Sequence, residues 1–355
     1  MDNQKKAIIA MSGGVDSSVA AYLMKQRGYE CIGVTMKLYD NENIGINSEK
    51  TCCSLDDVED ARSVAFKLNM PYYVFNFKED FEEKVIAKFI RTYEQGGTPN
   101  PCIDCNRYLK FEKLQQRRRE LCYDFVVTGH YADIEFKDGR YYLKKGKDLS
   151  KDQSYVLYSL TQEQLSHTQF PLGAYTKAEI RAIAEREGFI NAHKHESQDI
   201  CFVPDGDYAG FIERHTDKKY PKGDFLDING QKIGMHGGII RYTVGQRKGL
   251  GIAAGRPIYV IKKDIDANTV IVGDNEDLMS DYLEADAFNW IVEQPDAPIR
   301  CMAKTRYNMK EVPCTAVCEG DRVCVRFDTP VRAITAGQAV VLYDGDYVLG
   351  GGTIL

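Results

Sequence analysis

The sequence predicts an α/β protein in which an N-terminal doubly wound parallel sheet is followed by a small β-rich middle domain and a C-terminal β-barrel. Apolar strand-like runs alternate with amphipathic helical segments over the first 130 residues, the pattern of repeated β–α–β units. After Pro221, glycines and turn signals become frequent. From Asp286 onward, short strands follow one another, which is typical of a compact barrel. We therefore expect domains at residues 1–215, 216–283 and 284–355.

The elements of the first domain follow from the spacing of apolar residues. Apolar runs bounded by turn residues predict strands at 7–11, 31–38, 71–77 and 125–128. Apolar residues at helical spacing predict helices at 16–28, 55–68, 81–93, 111–121, 162–166, 177–187 and 207–214. A hairpin is expected at 132–148, turning at Asp138-Gly139. Ligands bind beyond the carboxyl ends of parallel strands, so the loops after Met11, Leu38 and Thr128 should converge.

Composition limits the class of protein. The 355 residues are 43% hydrophobic and 28% charged, as in globular chains of two or three domains. No run of about 18 apolar residues occurs, and no leader precedes the first strand, so we expect a cytoplasmic protein without a membrane partner. The net charge of −6 excludes a protein that is basic all over. Basic runs at 117–119 and 144–147 still leave local binding of nucleic acid open.

A glycine loop, Ser12-Gly13-Gly14-Val15-Asp16-Ser17-Ser18, joins the first strand to the first helix. Glycines adopt backbone angles that other residues avoid. The amide groups of such a turn and of a helix N-terminus form a concave anion site, to which the serine hydroxyls would add donors. The loop is not a Walker A motif, because no lysine follows the glycines. The residues therefore predict a phosphate site of another kind.

This loop resembles the SGGxDS signature of the PP-loop ATP pyrophosphatases, whose ATP-binding domain is Rossmann-like. The resemblance implies cleavage of ATP between its α and β phosphates and transfer of AMP to an oxygen atom, with Mg²⁺ on the phosphates. It also implies ATP contacts from the residues of this loop, which are Ala10, Met11, Ser12, Gly13, Gly14, Val15, Asp16 and Ser17.

Eleven cysteines, an odd number in a chain without a secretion signal, argue against a disulfide framework. Those with apolar neighbours are expected to be buried, namely Cys31, Cys122, Cys301, Cys314, Cys318 and Cys324. The remainder lie on the N-terminal side of the chain with the glycine loop: Cys52, Cys53, Cys102, Cys105 and Cys201. This distribution indicates thiol chemistry in the ATP-binding part of the chain.

Cys102 and Cys105 form a CxxC at the start of a helix, after the prolines of Thr98-Pro99-Asn100-Pro101. A helix N-terminus with nearby Arg107 and Lys110 favours a thiolate, which makes a nucleophile plausible. A lone CxxC is also half of a zinc site, although no second CxxC is present. Cys201 lies in an apolar, strand-like run and alone is equally typical of a core cysteine.

Eight motifs occur in order along the chain. They are SGGVDSS at 12–18, TPNPCIDCN at 98–106, TGHY at 128–131, KDQSY at 151–155, DICF at 199–202, GQRKGLG at 245–251, KTRY at 304–307 and AGQ at 336–338. Together they resemble the bacterial tRNA-specific 2-thiouridylase family over essentially the whole chain. The resemblance implies that O2 of the wobble uridine is adenylated and that sulfur then replaces AMP, giving 2-thiouridine, AMP and pyrophosphate.

The same resemblance implies roles for single residues. Cys201 would carry a persulfide, and Cys105 would be the nucleophile that releases or helps to transfer its sulfur, leaving a Cys105–Cys201 disulfide for reduction. Met36 and Gly129 would line the nucleotide site. Contacts to tRNA would come from Asn100, Pro101, Cys102, His130, Lys151, Asp152, Gln153, Arg306, Tyr307 and Gln338. The implied partners are tRNAs of the Lys, Glu and Gln type and an upstream sulfur-donor protein.

One departure from the family pattern leaves the sulfur route open. Many members carry aspartate where this chain has Cys102. Cys102, Cys105 and Cys201 would suit an iron–sulfur cluster with one open iron that delivers sulfide without a persulfide. No other metal site is expected, and no role follows for Cys52 and Cys53.

Two other functions fit part of the pattern. A PP-loop ligase with an amine nucleophile would need neither Cys105 nor Cys201. An RNA-binding module with a relict nucleotide loop would make no AMP. Neither explains why cysteines cluster in the ATP-binding part of the chain.

Overall fold

Residues 4–39, 55–194 and 200–355 are described by this computed structural model. They form two units. Unit 1 holds the described residues of 1–85 with 101–206 and 346–348, and unit 2 holds 86–100, 207–345 and 349–355. The predicted α/β fold class is confirmed, because unit 1 contains a parallel sheet with helices and unit 2 is mainly β-structure. The division into domains at 1–215, 216–283 and 284–355 stays a prediction.

A five-stranded parallel sheet forms the centre of unit 1. Its strands are β1 (Lys6–Ala10), β2 (Glu30–Lys37), β3 (Tyr72–Asn76), β4 (Phe125–Val127) and β7 (Thr168–Gln169). They lie in the order β3-β2-β1-β4-β7. In the central strand, Ile8 pairs with Ile32 of β2 on one side and with Val126 of β4 on the other. The loops after β1, β2 and β4 therefore leave the sheet at the same edge.

Helices and one hairpin complete unit 1. The helices are α1 (Val15–Gln26), α2 (Leu55–Lys67), α3 (Lys78–Phe81), α5 (Pro101–Asp104), α6 (Leu114–Glu120), α7 (Gln162–Ser166) and α8 (Lys177–Arg186). The predicted hairpin is confirmed as β5 (Ala132–Lys137) and β6 (Arg140–Lys145). Val19, Val64 and Ile180 from α1, α2 and α8 belong to one buried apolar cluster.

A long helical run carries the CxxC. It begins with α5 at Pro101, continues as a π-helix over Cys105–Lys113 and ends with α6. The helix predicted at 111–121 is thus the last part of a longer run. Proline suits a first helical position because its φ is preset and its missing N–H would have no partner there. π-Helical turns inside α-helices are frequent at functional sites, and this one begins at Cys105.

Unit 2 is built from two β-structures and helices α4 (Ala87–Glu94) and α9 (Tyr208–Thr216). The smaller sheet contains β8 (Gly223–Leu226), β9 (Lys232–His236), β10 (Tyr259–Asp264) and β11 (Thr269–Gly273). The larger one contains β12 (Met279–Trp290), β13 (Ile299–Lys304), β14 (Val312–Glu319), β15 (Arg322–Arg332), β16 (Ala339–Asp344) and β17 (Tyr347–Ile354). Pairing of β12 with β17 closes these six strands into the predicted barrel.

Three predictions about cysteines are wrong. Cys318, expected to be buried, is half-buried in β14. Cys201 does not lie in a strand, because residues 200–203 form a turn in which Val203 N donates to Ile200 O at 2.9 Å. Cys122 is exposed, not buried, and its φ of +56° turns the chain from α6 toward β4. Around Cys201 and Cys122, the apolar neighbours predicted that the segment is buried. They did not determine where the thiol itself lies. Across the described ranges, no helix is long and apolar enough to cross a membrane.

Candidate active site

The glycine loop between β1 and α1 is shaped by close backbone packing. Gly13 has a φ of +75°, which glycine adopts without strain. A Cβ atom at Gly13 would overlap the backbone of Asp57 in α2, so the position has no room for a side chain. Gly14 is the N-cap of α1. Because the first amide groups of a helix have no partner within it, the loop offers donors to an anion.

Side chains hold the loop in this shape. Ser17 Oγ donates to Gly14 O at 2.9 Å, and Ser18 Oγ donates to the same carbonyl at 3.1 Å. The hydroxyl hydrogens that the sequence offered to a phosphate are therefore used inside the loop. Asn191, only 2% exposed, donates to Gly13 O at 2.8 Å and to Ser18 Oγ at 2.9 Å. Asn191 lies 178 residues beyond Gly13, and no sequence motif marks it.

A lysine from α8 reaches the loop. Lys177 Nζ lies 2.8 Å from both carboxylate oxygens of Asp16, and Tyr131 OH donates to Asp16 Oδ1 at 2.7 Å. The Lys177 side chain is 12% exposed. The loop lacks the lysine of a Walker A motif, yet it receives a cation from a residue 161 positions further along the chain. Sequence reasoning missed Lys177, because nothing in its local pattern distinguishes it from the first residue of a capped helix.

The other nucleotide residues predicted from the sequence lie around this loop. A Cβ atom on Gly129 would lie 2.9 Å from Ser17 N, so the loops after β1 and β4 meet, as predicted. Most of the loop after Leu38 lies outside the described residues. Met36 is half-buried in β2. Ala10, Met11 and Val15 are buried, so any contact from them to ATP would come from the backbone.

His130 connects the nucleotide loops to the helix that carries Cys105. Its Nδ1 lies 2.6 Å from Thr128 Oγ1, and its Nε2 lies 3.4 Å from Lys110 Nζ in the π-helix. Burial, and after it the nearby Lys110 cation, hold the pKa of His130 well below its ordinary value. The imidazole is therefore neutral at pH 7. This suits a hydrogen bond from the Lys110 ammonium to its bare Nε2.

The neutral His130 is expected to make the protein less stable in mild acid. Below the ordinary histidine pKa of about 6.5, the unfolded chain binds a proton that the native state excludes. The free energy of unfolding should therefore fall as the pH falls, by up to about 1.4 kcal/mol per pH unit from this group. His130→Asn should reduce the slope between about pH 6.5 and pH 5, measured by urea unfolding. Equal slopes in both proteins would contradict this account.

The three cysteines singled out by the sequence lie in two segments of unit 1. Cys102 is exposed in α5, Cys105 is half-buried at the start of the π-helix, and Cys201 is half-buried in its turn. Burial raises the pKa of the Cys31 thiol to about 11, so that thiol is protonated at pH 7. Cys52 and Cys53 lie outside the described residues.

Helix α3 contacts both cysteine segments. Lys113, in the π-helix that starts at Cys105, pairs with Asp80 of α3 at 2.7 Å. On the other segment, Phe202 follows Cys201 and packs edge-on against Phe81 of α3, with ring centroids 5.6 Å apart. Tyr39 OH also donates to the backbone oxygen of Cys201 at 3.0 Å. Both segments are thus attached to one structural element.

The described residues contain no set of ligands for a single metal ion. Within residues 4–39, 55–194 and 200–355, no three His, Cys, Asp or Glu side chains converge on a point where a metal ion would fit. Cys102, Cys105 and Cys201 all belong to these ranges. The described residues therefore give no support to a mononuclear zinc site. Each cysteine of an iron–sulfur cluster binds a different iron, so the cluster at Cys102, Cys105 and Cys201 stays a prediction.

Asp152 and Gln153, from the KDQSY motif at 151–155, stabilise the loop in which they lie. Asp152 accepts hydrogen bonds from Gly146 N at 3.1 Å and from Ser154 Oγ at 2.7 Å. Gln153 Oε1 accepts from Tyr131 N at 3.0 Å, and Gln153 N donates to Tyr131 O at 2.8 Å. Lys151 is half-buried beside them. Through Tyr131, this segment fixes the loop that follows His130.

Residues of unit 2 predicted to contact tRNA also make internal contacts. Arg306 Nη2 donates to Ala333 O at 2.8 Å and to Thr335 Oγ1 at 2.9 Å. Tyr307 is half-buried, with Lys304 Nζ 5.9 Å from its ring centroid. Gln338 donates to the backbone of the loop that contains Asn100. Asn100 is half-buried and Pro101 is buried.

Family comparisons cover nearly the whole chain. Residues 5–205 match the tRNA methyl transferase HUP domain, residues 209–274 match the tRNA methyl transferase PRC-barrel domain, and residues 280–354 match the aminomethyltransferase β-barrel domain. The first match spans the glycine loop, the π-helix and Cys201. The last spans the closed barrel.

Curated relatives match along their full length. The tRNA-specific 2-thiouridylase MnmA of Lachnoclostridium phytofermentans is 50% identical over 99% of this chain and 99% of its own. That of Clostridioides difficile is 51% identical over 99% of this chain and 98% of its own. Among solved structures, the U34-tRNA thiolase NcsA from Methanococcus maripaludis, with its [4Fe-4S] cluster, aligns with a TM-score of only 0.37 at 18% identity. That alignment covers 61% of this chain and 65% of that one. On its full-length identity to the curated relatives, this chain belongs to the tRNA-specific 2-thiouridylase family.

Proposed function

We propose that this protein is a tRNA-uridine 2-sulfurtransferase that uses ATP to convert the wobble uridine of tRNA into 2-thiouridine. The proposal rests on a connection within unit 1 between the nucleotide loop and the helix that carries Cys105. The nucleotide loop touches Gly129, and the next residue, His130, contacts Lys110 on the helix that begins at Cys105. An activating site and a thiol site are thereby joined through two adjacent residues.

The first step activates the base. O2 of the uridine attacks the α-phosphorus of MgATP and pyrophosphate leaves, which converts the oxygen at C2 into part of a good leaving group. The loop amides and the α1 N-terminus would hold phosphate oxygens. Lys177 would share its charge between Asp16 and the phosphates and so stabilise negative charge in the transition state. The magnesium ion would arrive with ATP, held mainly by phosphate oxygens and water.

The second step exchanges AMP for sulfur. The terminal sulfur of a Cys201 persulfide attacks C2 and displaces AMP, which leaves a disulfide between Cys201 and the base. The Cys105 thiolate then attacks Cys201 Sγ, so that 2-thiouridine leaves and a Cys105–Cys201 disulfide remains. A dithiol reductant supplies two electrons to restore both thiols. Alternatively, Cys105 attacks the persulfide first and the released hydrosulfide attacks C2, with the same products.

We take a persulfide on Cys201 as the sulfur carrier, and a cluster held by Cys102, Cys105 and Cys201 stays the alternative. The family match favours thiolation over amine ligation, and the half-buried Cys105 and Cys201 would have no role in a ligase. We expect the substrates to be tRNAs of the Lys, Glu and Gln type, and an upstream sulfur-donor protein to load Cys201.

A thiolation assay with ATP analogues tests the proposal. Purified protein is incubated with unmodified tRNA transcript, Mg²⁺, a sulfur source and ATP, and nucleosides are analysed by mass spectrometry. We expect 2-thiouridine, AMP and pyrophosphate in equal amounts. The α,β-methylene analogue of ATP should block the reaction, whereas the β,γ-methylene analogue should still support it. Thiolation with the α,β analogue, or ADP as the product, would contradict the proposal. A transcript with cytidine at the wobble position is the control.

A further inference from the structure

Asn106, the last residue of the TPNPCIDCN motif, is anchored in the interior of unit 1. It directly follows Cys105 in the π-helix and is only 3% exposed. Its Nδ2 donates to Val156 O at 3.1 Å, although the two residues lie 50 positions apart in the chain. Val156 belongs to the 3₁₀ turn Ser154–Leu157, which immediately follows Gln153. This contact has no part in the two reaction steps proposed above.

The hydrogen bond fixes the orientation of the Asn106 amide. A backbone carbonyl can only accept a hydrogen bond, so the NH2 group must face Val156 O. The Oδ1 atom is then buried without a hydrogen-bond partner among the described residues. A buried oxygen without a partner destabilises the folded protein, and a leucine of similar size would not carry that cost. The net stability gained from Asn106 is therefore small, and what the residue supplies is a fixed connection between two segments.

The 3₁₀ turn is a firm support, because both neighbours of Val156 are fully buried. Gln153, just before the turn, accepts from Tyr131 N at 3.0 Å, and its own N–H donates to Tyr131 O at 2.8 Å. Tyr131 OH in turn donates to Asp16 Oδ1 in the glycine loop at 2.7 Å. The segment 153–156 therefore supports both the glycine loop and the π-helix, and all of these residues belong to unit 1.

We infer that Asn106 is a positioning residue for Cys105. Cys105 is half-buried, and it lies between Asp104, which is 5% exposed, and the buried Asn106. Fixing Asn106 to Val156 O therefore fixes the backbone next to the thiol relative to the glycine loop. The inference rests on the proposed function in taking Cys105 as the reacting thiol. Asn106 itself does not act on the substrate directly, because its side chain is buried.

Asn106→Leu tests this role, because it removes the amide at nearly constant volume. Val156 O loses its partner, but the unpartnered Oδ1 is also removed, so the Tm should stay close to that of the natural protein. In single-turnover assays, tRNA-dependent release of pyrophosphate should keep its rate. Formation of 2-thiouridine should fall about 10-fold because the reacting thiol is misplaced, with the KM values for ATP and tRNA nearly unchanged. A merely structural role would lower both half-reactions or neither.

Hydrogen exchange follows the anchor directly and needs no tRNA. In full-length Asn106→Leu, peptides that include residue 106 should exchange about 10-fold faster, as expected when one hydrogen bond is lost. If Asn106→Leu does not fold, Asn106→Ala is measured by the same two methods.

Two other variants give matched comparisons. Gln116→Leu removes an amide at an exposed position of the same helical run, and it should behave like the natural protein. Asn191→Leu removes another buried asparagine whose Oδ1 has no partner among the described residues. Because Asn191 holds Gly13, this variant should slow the release of pyrophosphate instead.

The outcomes separate the inference from the proposed function. Full thiolation by Asn106→Leu, or an equal loss of both half-reactions, would overturn the inference. Faster hydrogen exchange in Asn106→Leu, together with no thiolation by the natural protein, would support the anchor and contradict the proposed function alone.

Discussion

Replacing Cys105 with alanine is expected to abolish 2-thiouridine formation while tRNA-dependent release of pyrophosphate continues. The loop amides, Lys177 and Gly129 remain in place in this variant, so the uridine can still be adenylated. The sulfur step loses its nucleophile, and the loss of such a group lowers turnover by about a thousand-fold or more. Cys31 cannot substitute, because its thiol is buried and protonated at pH 7.

Single-turnover assays with labelled ATP and tRNA would separate the two half-reactions. Cys122→Ala is the matched control, since Cys122 is an exposed thiol at the end of α6, and it should retain full thiolation. Cys201→Ala, like Cys105→Ala, should release pyrophosphate without forming 2-thiouridine, because it removes the persulfide carrier. Undiminished thiolation by Cys105→Ala would exclude the mechanism proposed above. Loss of pyrophosphate release together with thiolation would instead indicate that Cys105 acts before sulfur transfer.

Lys177→Met is expected to weaken the use of ATP by about 10- to 100-fold, as loss of a charge-assisted hydrogen bond worth about 1.5–3 kcal/mol predicts. Methionine keeps much of the length of the lysine side chain but removes the cation. Asp16 would then face the phosphates of ATP without a countercharge, and two anions in a partly buried site repel each other. The kcat should fall and the KM for ATP should rise.

The measurement is tRNA-dependent AMP formation over a range of ATP concentrations. Lys137→Met provides the control, because Lys137 is an exposed lysine at the β5–β6 turn, and its kinetics should be those of the natural protein. Asp16→Asn should partly compensate for Lys177→Met, since it removes the uncompensated charge. An unchanged KM for ATP in Lys177→Met would show that the ion pair only anchors α8 to the loop.

Local patterns in the sequence determined much of the fold. Apolar runs at 7–11 and 125–128 predicted strands that the structure contains as β1 and β4. The glycine loop was recognisable because all its parts are neighbours in the sequence. The strand, the glycines and the start of the helix lie within about a dozen residues. The hairpin at Asp138-Gly139 was equally local. Such features depend on backbone preferences that neighbouring residues alone impose.

The contacts that complete the candidate site depend on distant residues and were not predictable in this way. Lys177 and Asn191 reach the loop only because α8 packs beside α1, and a single lysine or asparagine carries no local mark of that. The motifs that contain Gln338 and Arg306 predicted functional residues. They did not indicate that the side-chain donors form hydrogen bonds within the protein. Cys201 was misplaced in a strand because a turn with an apolar Phe202 and Val203 has the composition of a strand.

The interleaving of the two units along the chain restricts how the molecule can be divided. The chain passes from one unit to the other at 85/86, 100/101, 206/207, 345/346 and 348/349. A fragment ending at residue 215 would keep Thr98 but lose Ala336 and Gln338, which are hydrogen-bonded to it. It would also lose Tyr347, which pairs with Lys144 of β6. Exchange of the barrel between relatives would have to carry residues 86–100 with it. The two units therefore cannot be separated, or exchanged between relatives, by a single cut in the chain.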